Sequence, residues 1–292
     1  MYEQISENKR NTIILIAVFS VIIVALAWVL GEYIFGIGSF GLALGGIFVI
    51  IYSLVNYFFA DRIVLAISGA RELQKNEHPY LFNLIEGLAI AAGIPKPKAY
   101  VINDTALNAF ATGRDPEHAV IVVTTGILTK LDRQELEGVI AHEMSHIKNY
   151  DIRLMTIVSV LVGITALLSD IMLRSILYGG GRRENRGGAA FLIVGIVLAI
   201  LTPIIAAIIK MAVSRQREYL ADASGAMLTR NPDGLANALE KISSDKEVLE
   251  AANKATAHLY IDNPLKNRQG FLDGMFSTHP PIADRVARLR KM

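Results

Sequence analysis

Two histidines and a glutamate lie within five consecutive residues, HEMSH at 142–146. On an α-helix, side chains four positions apart share a face, so His142 and His146 can direct imidazole nitrogens at one point while Glu143 projects beside them. Two imidazoles can bind a divalent cation, and a neighbouring carboxylate can take a proton from water that the cation acidifies. The spacing predicts a catalytic metal site. The alternative is a polar helix face that carries two histidines.

The HExxH pattern is the one that zinc proteases use. The 292-residue chain contains no cysteine, which excludes disulfides, thiolate zinc sites and a cysteine nucleophile. Any metal must therefore be held by His, Asp or Glu. A donor set of this kind also accepts divalent metals other than zinc.

A catalytic zinc needs a third protein ligand and one open position for water. Glu218 in EYLAD is the best candidate, because Asp222 follows four residues later on the same helix face. Asp222 could accept a hydrogen bond from the outer ring nitrogen of a zinc-bound histidine. Like charges at this spacing repel, and a bound cation would offset the repulsion. The alternative is a surface helix with an acidic pair.

The remaining histidines carry weaker signals. His279 in THPPIADR precedes Arg285 by six residues, and the two could offer cationic donors to an oxyanion. The alternative for His279 is a structural turn before the terminal helix. His78, His118 and His258 are predicted to be surface or packing residues.

The composition indicates a membrane protein. Hydrophobic residues make up 52% of the chain, charged residues 19%, and the mean hydropathy is +0.40. The net charge is only +2, and the basic residues form no stripe that would favour nucleic-acid binding. We therefore expect the lipid bilayer as a partner and no nucleic acid.

Two apolar runs near the N-terminus, residues 12–30 and 39–60, have about the ~20 residues that a membrane-spanning helix needs. A cleaved secretory signal is the competing interpretation of the first run, because Ala-Leu-Ala at 25–27 resembles a cleavage site. The run continues past that point and a second one follows. An uncleaved membrane hairpin is therefore favoured.

Basic residues predict the orientation of this hairpin. Lys9 and Arg10 precede the first run, and Arg62, Arg71 and Lys75 follow the second. Short cytoplasmic segments are enriched in Lys and Arg, so both ends of the hairpin are predicted to be cytoplasmic.

A second pair of apolar runs covers residues 154–178 and 189–209, the first interrupted by two charges. If His142 and Glu218 share one metal, the chain between them must cross the membrane an even number of times, either two or zero. The loop between the runs conflicts with the positive-inside rule, because a double crossing would place its arginines outside. These are Arg182, Arg183 and Arg186.

Helical and strand-like patterns occupy the polar segments. A helix is predicted from residue 80 until the prolines at 95–98, and Asp132 with Glu135 forms a capping-box signature for the HEMSH helix. β-branched and apolar residues predict strands in AYVIN and HAVIVVT. NAFATG and the turn-rich GRDPEH between them indicate a hairpin. Further helices are predicted in DGLANALEKI and ADRVARLRK.

The expected fold class is α+β and mainly helical, in a multi-pass membrane protein. The predicted division has four parts: an N-terminal tail with a transmembrane hairpin, the first part of a cytoplasmic domain, a membrane hairpin, and the second part of that domain. Their bounds are 1–60, 61–152, 153–212 and 213–292.

With HEMSH, EYLAD, NAFATG and STHPP, the sequence closely resembles the HtpX family of membrane zinc metalloproteases, relatives of the CAAX prenyl endopeptidases, over essentially the whole chain. The resemblance implies a zincin-type domain in which His142, His146 and Glu218 bind one Zn²⁺ per subunit and Glu143 is the catalytic base. It places Asp222 near the site. It also implies an edge strand beside the cleft, where an extended substrate could add as a further strand. That strand contains Asn108, Ala109, Phe110 and Ala111.

The family role implied by the resemblance is quality control: cleavage of misfolded or damaged membrane proteins at the cytoplasmic face of the bacterial plasma membrane, as part of a stress response. Three alternatives differ in sequence. A zinc transporter would place ionisable ligands inside its spans, yet the four apolar runs contain no histidine. A non-catalytic scaffold would not need Glu143, and a processing peptidase for prenylated tails would carry more spans.

Overall fold

A computed structural model of the protein describes residues 2–30, 39–162, 214–250, 256–264 and 280–292. Within these ranges the protein is mainly helical and contains a four-stranded sheet, which confirms the predicted α+β class. His279, the apolar run at 189–209, most of the run at 154–178 and the arginine-rich loop between these runs lie outside the described residues.

The described helices and strands have the following bounds. The helices are α1 (Tyr2–Leu30), α2 (Ser39–Ile67), α3 (Pro79–Ala92), α4 (Thr125–Lys130), α5 (Arg133–Lys148), α6 (151–162), α7 (Arg215–Thr229), α8 (Pro232–Ser244) and α9 (Ile282–Leu289). The strands are β1 (Arg71–Glu72), β2 (Lys98–Ile102), β3 (Ala109–Thr112) and β4 (Val120–Thr124). Short 3₁₀ helices cover Pro116–His118 and Ala257–Leu259.

Helices α1 and α2 pack against each other and expose large apolar side chains. The rings of Phe19 and Tyr52 lie 5.5 Å apart between the helices, whereas Ile13 and Val21 are 68% and 69% exposed. Among the described residues, one helix, Phe40–Ile67, is long and apolar enough to cross a membrane, and only 11% of its most apolar window is buried. A core helix of a soluble protein would be mostly buried, so this exposure is consistent with a lipid-facing surface.

The sheet has the strand order β1-β2-β4-β3, so β3 lies at an edge. Strands β2 and β4 are parallel, and β3 is antiparallel to β4, which confirms the predicted hairpin. Gly113 begins the hairpin connection with φ +142°, and a Cβ atom there would lie 2.6 Å from the carbonyl oxygen of His118. Only glycine fits this turn without strain.

Helix α5 is the central element of the domain. The Asp132 side chain accepts hydrogen bonds from the backbone N–H groups of Gln134 and Glu135, and the Glu135 carboxylate accepts one from the Asp132 N–H, which confirms the capping box. Nearly every residue from Leu136 to Ile147 is buried. The helix packs against α7, α8, α3 and β3. This burial on all sides rigidly positions the HEMSH segment.

Glycine allows α7 to approach α5 at the motif. A Cβ atom at Gly225 would lie 3.0 Å from the backbone nitrogen of His142 and 3.3 Å from the carbonyl carbon of Ala141. The two helix backbones are therefore in near contact at the first histidine. This approach brings residues of α7 within reach of the imidazoles.

The chain turns sharply where α5 ends. Asn149 is the C-terminal cap, Tyr150 has a left-handed φ of +61°, and α6 begins at residue 151. A non-glycine residue with this φ is uncommon and marks a specific local geometry. The described part of the third apolar run, from residue 154 to 162, is buried.

Candidate metal centre

The two motif histidines point at each other across one turn of α5. Their Nε2 atoms lie 3.2 Å apart, with the ring planes nearly perpendicular. His142 is 1% exposed and Glu143 is 2% exposed. The helix periodicity thus produces the predicted convergence, within the buried interior.

Helix α7 adds a carboxylate to this pair. Glu218 lies in its first turn, with Oε1 3.5 Å from His146 Nε2 and Oε2 3.8 Å from His142 Nε2. One ligand atom from each of the three residues lies within 4.8 Å of the others. Around a tetrahedral zinc with metal–nitrogen distances of about 2.0 Å, ligand atoms lie about 3.3 Å from one another. The donor set therefore fits a zinc ion.

Each histidine donates its outer ring nitrogen to a carboxylate. His142 Nδ1 lies 3.0 Å from Asp222 Oδ1, and His146 Nδ1 lies 3.0 Å from Asp151 Oδ2. A hydrogen bond of this kind fixes the tautomer and the ring orientation, and leaves the Nε2 lone pair for a metal. The structure places Asp222 beside His142, near the site as expected.

Sequence reasoning missed Asp151. Its only signal in the sequence is an acidic residue five positions after His146, a spacing that does not place two side chains on one face of a helix. A continued helix would not have aimed this side chain back at His146. The left-handed Tyr150 turns the chain so that Asp151 faces the ring.

Arg285, on α9, lies next to Asp222 and His142 and is fully buried, with 0% of its side chain exposed. Its Nε and Nη2 atoms donate to Asp222 at 2.8 and 2.7 Å, and Nη1 lies 3.5 Å from Glu218 Oε2. The guanidinium also donates to the backbone oxygen of Ile261 at 3.2 Å. This bidentate contact holds Asp222 in place, so Arg285 stabilises the site. Its role as a donor to an oxyanion stays a prediction.

Burial makes the largest single contribution to the pKa shifts of the motif, but it does not decide the direction of every shift. It raises the pKa of Glu143 to about 7, although the charge of His146 and a backbone N–H of Ala111 act in the opposite direction. Burial lowers the pKa of His142, to which the charge of Arg285 also contributes. For His146, burial is outweighed by the hydrogen bond to Asp151 and the charge of Glu218, which raise its pKa to about 9. A base that titrates near neutral pH suits general base catalysis.

The predicted edge strand contains Asn108, Ala109, Phe110 and Ala111, and β3 begins at the second of these. The backbone oxygen of Asn108 accepts from the N–H of Thr124. The backbone N–H and C=O groups of the next residue, Ala109, therefore point away from β4. The oxygen of Ala109 accepts from Ile261, and the side chain of Asn108 donates to the oxygen of Asp262. Segment 256–264 therefore covers the first part of the edge. Ala111 also faces outward, beside Glu143.

These features define a class. A HExxH helix packed on a small sheet, with a third carboxylate from a later helix, is the architecture of a zincin-type metallopeptidase. The sequence model of peptidase family M48 matches residues 75–292. The chain belongs to peptidase family M48, within its HtpX-type proteases.

Curated relatives and a solved structure agree with this assignment. A "Protease HtpX homolog" of Dictyoglomus thermophilum is 52% identical over 100% of this chain and 94% of its own. Homologs of the same description in Thermoanaerobacter pseudethanolicus and Streptococcus uberis are 46% and 44% identical. The crystal structure of S. mikatae Ste24p matches the fold with a TM-score of 0.51 and 19% identity, covering 99% of this chain and 67% of that one. The protein is a membrane-associated metalloprotease.

Proposed function

We propose that this protein is a membrane-anchored zinc endopeptidase that hydrolyses misfolded or damaged membrane proteins at the cytoplasmic face of the bacterial plasma membrane. The observation that carries the proposal is the convergence of His142, His146 and Glu218 beside the buried carboxylate of Glu143. The exposed apolar surface of α1 and α2 supports a site held close to the bilayer.

The proposed chemistry divides between the metal and one side chain. His142, His146 and Glu218 would hold Zn²⁺, which would supply a Lewis acid able to acidify water and polarise a carbonyl group. Glu143, with a pKa that burial raises to about 7, takes a proton from the attacking water. The same carboxyl group then gives that proton to the amine that leaves when the peptide bond breaks. Asp222 and Asp151 keep the imidazole rings in place throughout.

Substrate recognition is proposed to use the outward-facing edge of β3, where the Ala111 N–H donates to the Glu143 carboxylate and would exchange that partner for a substrate oxygen. Ala111 faces outward next to Glu143, so an extended peptide paired there would have its backbone beside the catalytic base. Pairing that continued to Ala109 would require segment 256–264 to move, because Ile261 already donates to the Ala109 oxygen. Recognition through backbone groups favours unfolded segments of many sequences, which is what a quality-control protease must accept.

The decisive experiment compares Glu143→Gln with the wild type on an unfolded protein substrate. The variant should keep one zinc ion per chain and lose about 10²- to 10⁴-fold in turnover, the usual contribution of a general base. Glu137→Gln is the matched control, because this carboxylate lies on the same helix and makes no part of the metal centre. Wild-type turnover by Glu143→Gln would refute the proposed role.

Orientation in the membrane can be tested by cysteine labelling, since the natural chain has no cysteine. Single cysteines at Glu117, which is exposed on the domain, and at Gly38, between the two N-terminal apolar runs, are treated with a membrane-impermeant thiol reagent. In intact spheroplasts the cysteine at Gly38 should react and that at Glu117 should react only after permeabilisation. The reverse pattern would place the site outside the cytoplasm.

A further inference from the structure

The N-terminal helix reaches the metal centre through one side chain. Asn8 lies on α1, four residues before the first apolar run, and is only 2% exposed. Its Nδ2 donates to the backbone oxygen of Asn149 at 2.9 Å and to Asp151 Oδ1 at 2.6 Å. Both acceptors flank the left-handed Tyr150, where α5 ends.

The carboxylate that Asn8 contacts is the one that holds a metal-site histidine. Asp151 Oδ1 accepts from Asn8, and Oδ2 accepts from His146 Nδ1 at 3.0 Å. An amide group has two N–H donors, which matches the two acceptors that Asn8 Nδ2 contacts. Fixing one oxygen of a carboxylate and the adjacent backbone oxygen fixes the rotation of the carboxylate. The other oxygen is thereby aimed at His146.

Neighbouring contacts dock the same turns of α1 onto this junction. Lys9 Nζ lies 4.4 Å from the centre of the Tyr150 ring. Thr12 donates to the backbone oxygen of Asn8 at 2.8 Å without contacting the metal centre. Arg217 Nε, on α7, lies 3.7 Å from Asp151 Oδ1, so that among the described residues Arg217 and His146 are charged groups facing this carboxylate. Asn8 thus brings a neutral donor to a carboxylate whose charge acts on the histidine.

We propose that Asn8 is a positioning residue for the metal site, acting on His146 through Asp151, so that α1 completes the metal centre in addition to anchoring the chain. This inference rests on the proposed function, because it requires that His146 binds a metal. Residues that orient metal-bound histidines typically contribute 10- to 100-fold to metal affinity.

The test measures the zinc dissociation constant of the full-length protein in detergent by competition with a chromophoric chelator. Asn8→Leu preserves the shape of the side chain and removes both donated hydrogen bonds. We expect it to weaken zinc binding about tenfold or more. Thr12→Val is the matched control, because it removes a buried hydrogen bond of the same helix and should leave the dissociation constant unchanged. The absorption spectrum of the cobalt-substituted protein should change with Asn8→Leu and not with Thr12→Val.

A double-mutant cycle separates positioning from general loosening of the helix. In an Asp151→Asn background the Asn8→Leu change should have little further effect on zinc affinity, because its target is already lost. Additive effects would show that Asn8 acts by another route and would overturn the proposal. Should Asn8→Leu fail to fold, Asn8→Ser enters the same cycle, with a shorter side chain that does not span the distance to both acceptors.

The outcomes distinguish this inference from the proposed function. If the wild-type protein binds one zinc and Asn8→Leu binds it equally tightly, Asn8 is a packing contact and the inference fails alone. If the wild-type protein binds no metal, the proposed function fails and the inference fails with it. Weakened zinc binding in Asn8→Leu that depends on Asp151 supports both.

Discussion

Two chains of contacts orient the histidines of the metal centre: the Asp222 arm, made of His142, Asp222 and Arg285, and the Asp151 arm, made of His146, Asp151 and Asn8. The two arms begin with the same contact and differ in the residue that donates to the aspartate. Each histidine donates Nδ1 to an aspartate at 3.0 Å. Asp222 accepts two hydrogen bonds from the charged guanidinium of Arg285, whereas Asp151 accepts one from the neutral amide of Asn8 and has the Arg217 guanidinium at the longer distance of 3.7 Å. The first arm uses α7 and α9 of the domain, and the second reaches into α1.

The difference lies in where the negative charge of each aspartate acts. Against the opposing effect of burial, the charge of Arg285 holds the pKa of Asp222 well below its usual range. Arg285 also helps burial to lower the pKa of His142. The charge of Asp151, in contrast, contributes to a pKa of about 9 for His146. The two histidines therefore make similar contacts with a carboxylate, yet the pKa of His142 is lowered and that of His146 is raised.

We expect the largest effect on stability from removing the positive charge of Arg285 in the Asp222 arm. Arg285→Leu leaves the buried carboxylate of Asp222 without its cation, and removing one partner of a buried ion pair typically costs about 3–5 kcal/mol. We expect a corresponding drop in the free energy of unfolding, measured by urea denaturation in detergent. Arg290→Leu is the control, because this arginine of the same chain end forms its ion pairs with Asp233 and Glu240 at the exposed surface. Equal stability of the two variants would contradict a stabilising role for Arg285.

Neutralising each aspartate in turn should separate affinity from stability. Once corrected for the proton that zinc displaces from His146, zinc binding should weaken about 10- to 100-fold in both Asp151→Asn and Asp222→Asn, since each removes the acceptor that orients a ligand. Only Asp222→Asn should also lower stability markedly, because it removes the nearer of the two carboxylates that balance the charge of the buried Arg285. Chelator competition and urea denaturation measure the two quantities. Similar stability losses in both variants would show that the arms are equivalent.

The smallest and most specific effect concerns protons. Because the pKa of His146 is raised to about 9 in the metal-free protein, its imidazole is protonated near neutral pH, and binding zinc must release about one proton from it. As the pH falls below that pKa, apparent zinc affinity should therefore weaken by about tenfold per pH unit.

Calorimetry in buffers of different ionisation enthalpy counts the protons released per zinc. Asp151→Asn should reduce that number towards zero for His146, because the hydrogen bond and charge that raise its pKa are removed. Asp222→Asn should not reduce it, since burial already keeps His142 neutral. Unchanged proton release in Asp151→Asn would contradict the proposed difference in protonation between His142 and His146.

Much of the centre follows from local patterns. The capping box at Asp132 fixes where α5 begins, and the helical repeat then places His142 and His146 on one face. The same repeat pairs Glu218 with Asp222 on α7. Local spacing also predicts the hairpin of β3 and β4, whereas the parallel pairing of β2 with β4 depends on a crossover that no short pattern encodes.

By itself, the sequence determined a membrane-associated chain without cysteine, a HExxH helix and the residues able to hold a metal, because composition, charge and helical periodicity are local properties. Only the tertiary structure decided what stands behind the ligands. Asp151 faces His146 because Tyr150 adopts a left-handed turn, and Asn8 meets Asp151 across 143 positions of chain. Such contacts arise from the packing of whole helices, in which the partner of a buried polar group is selected by where the helices meet.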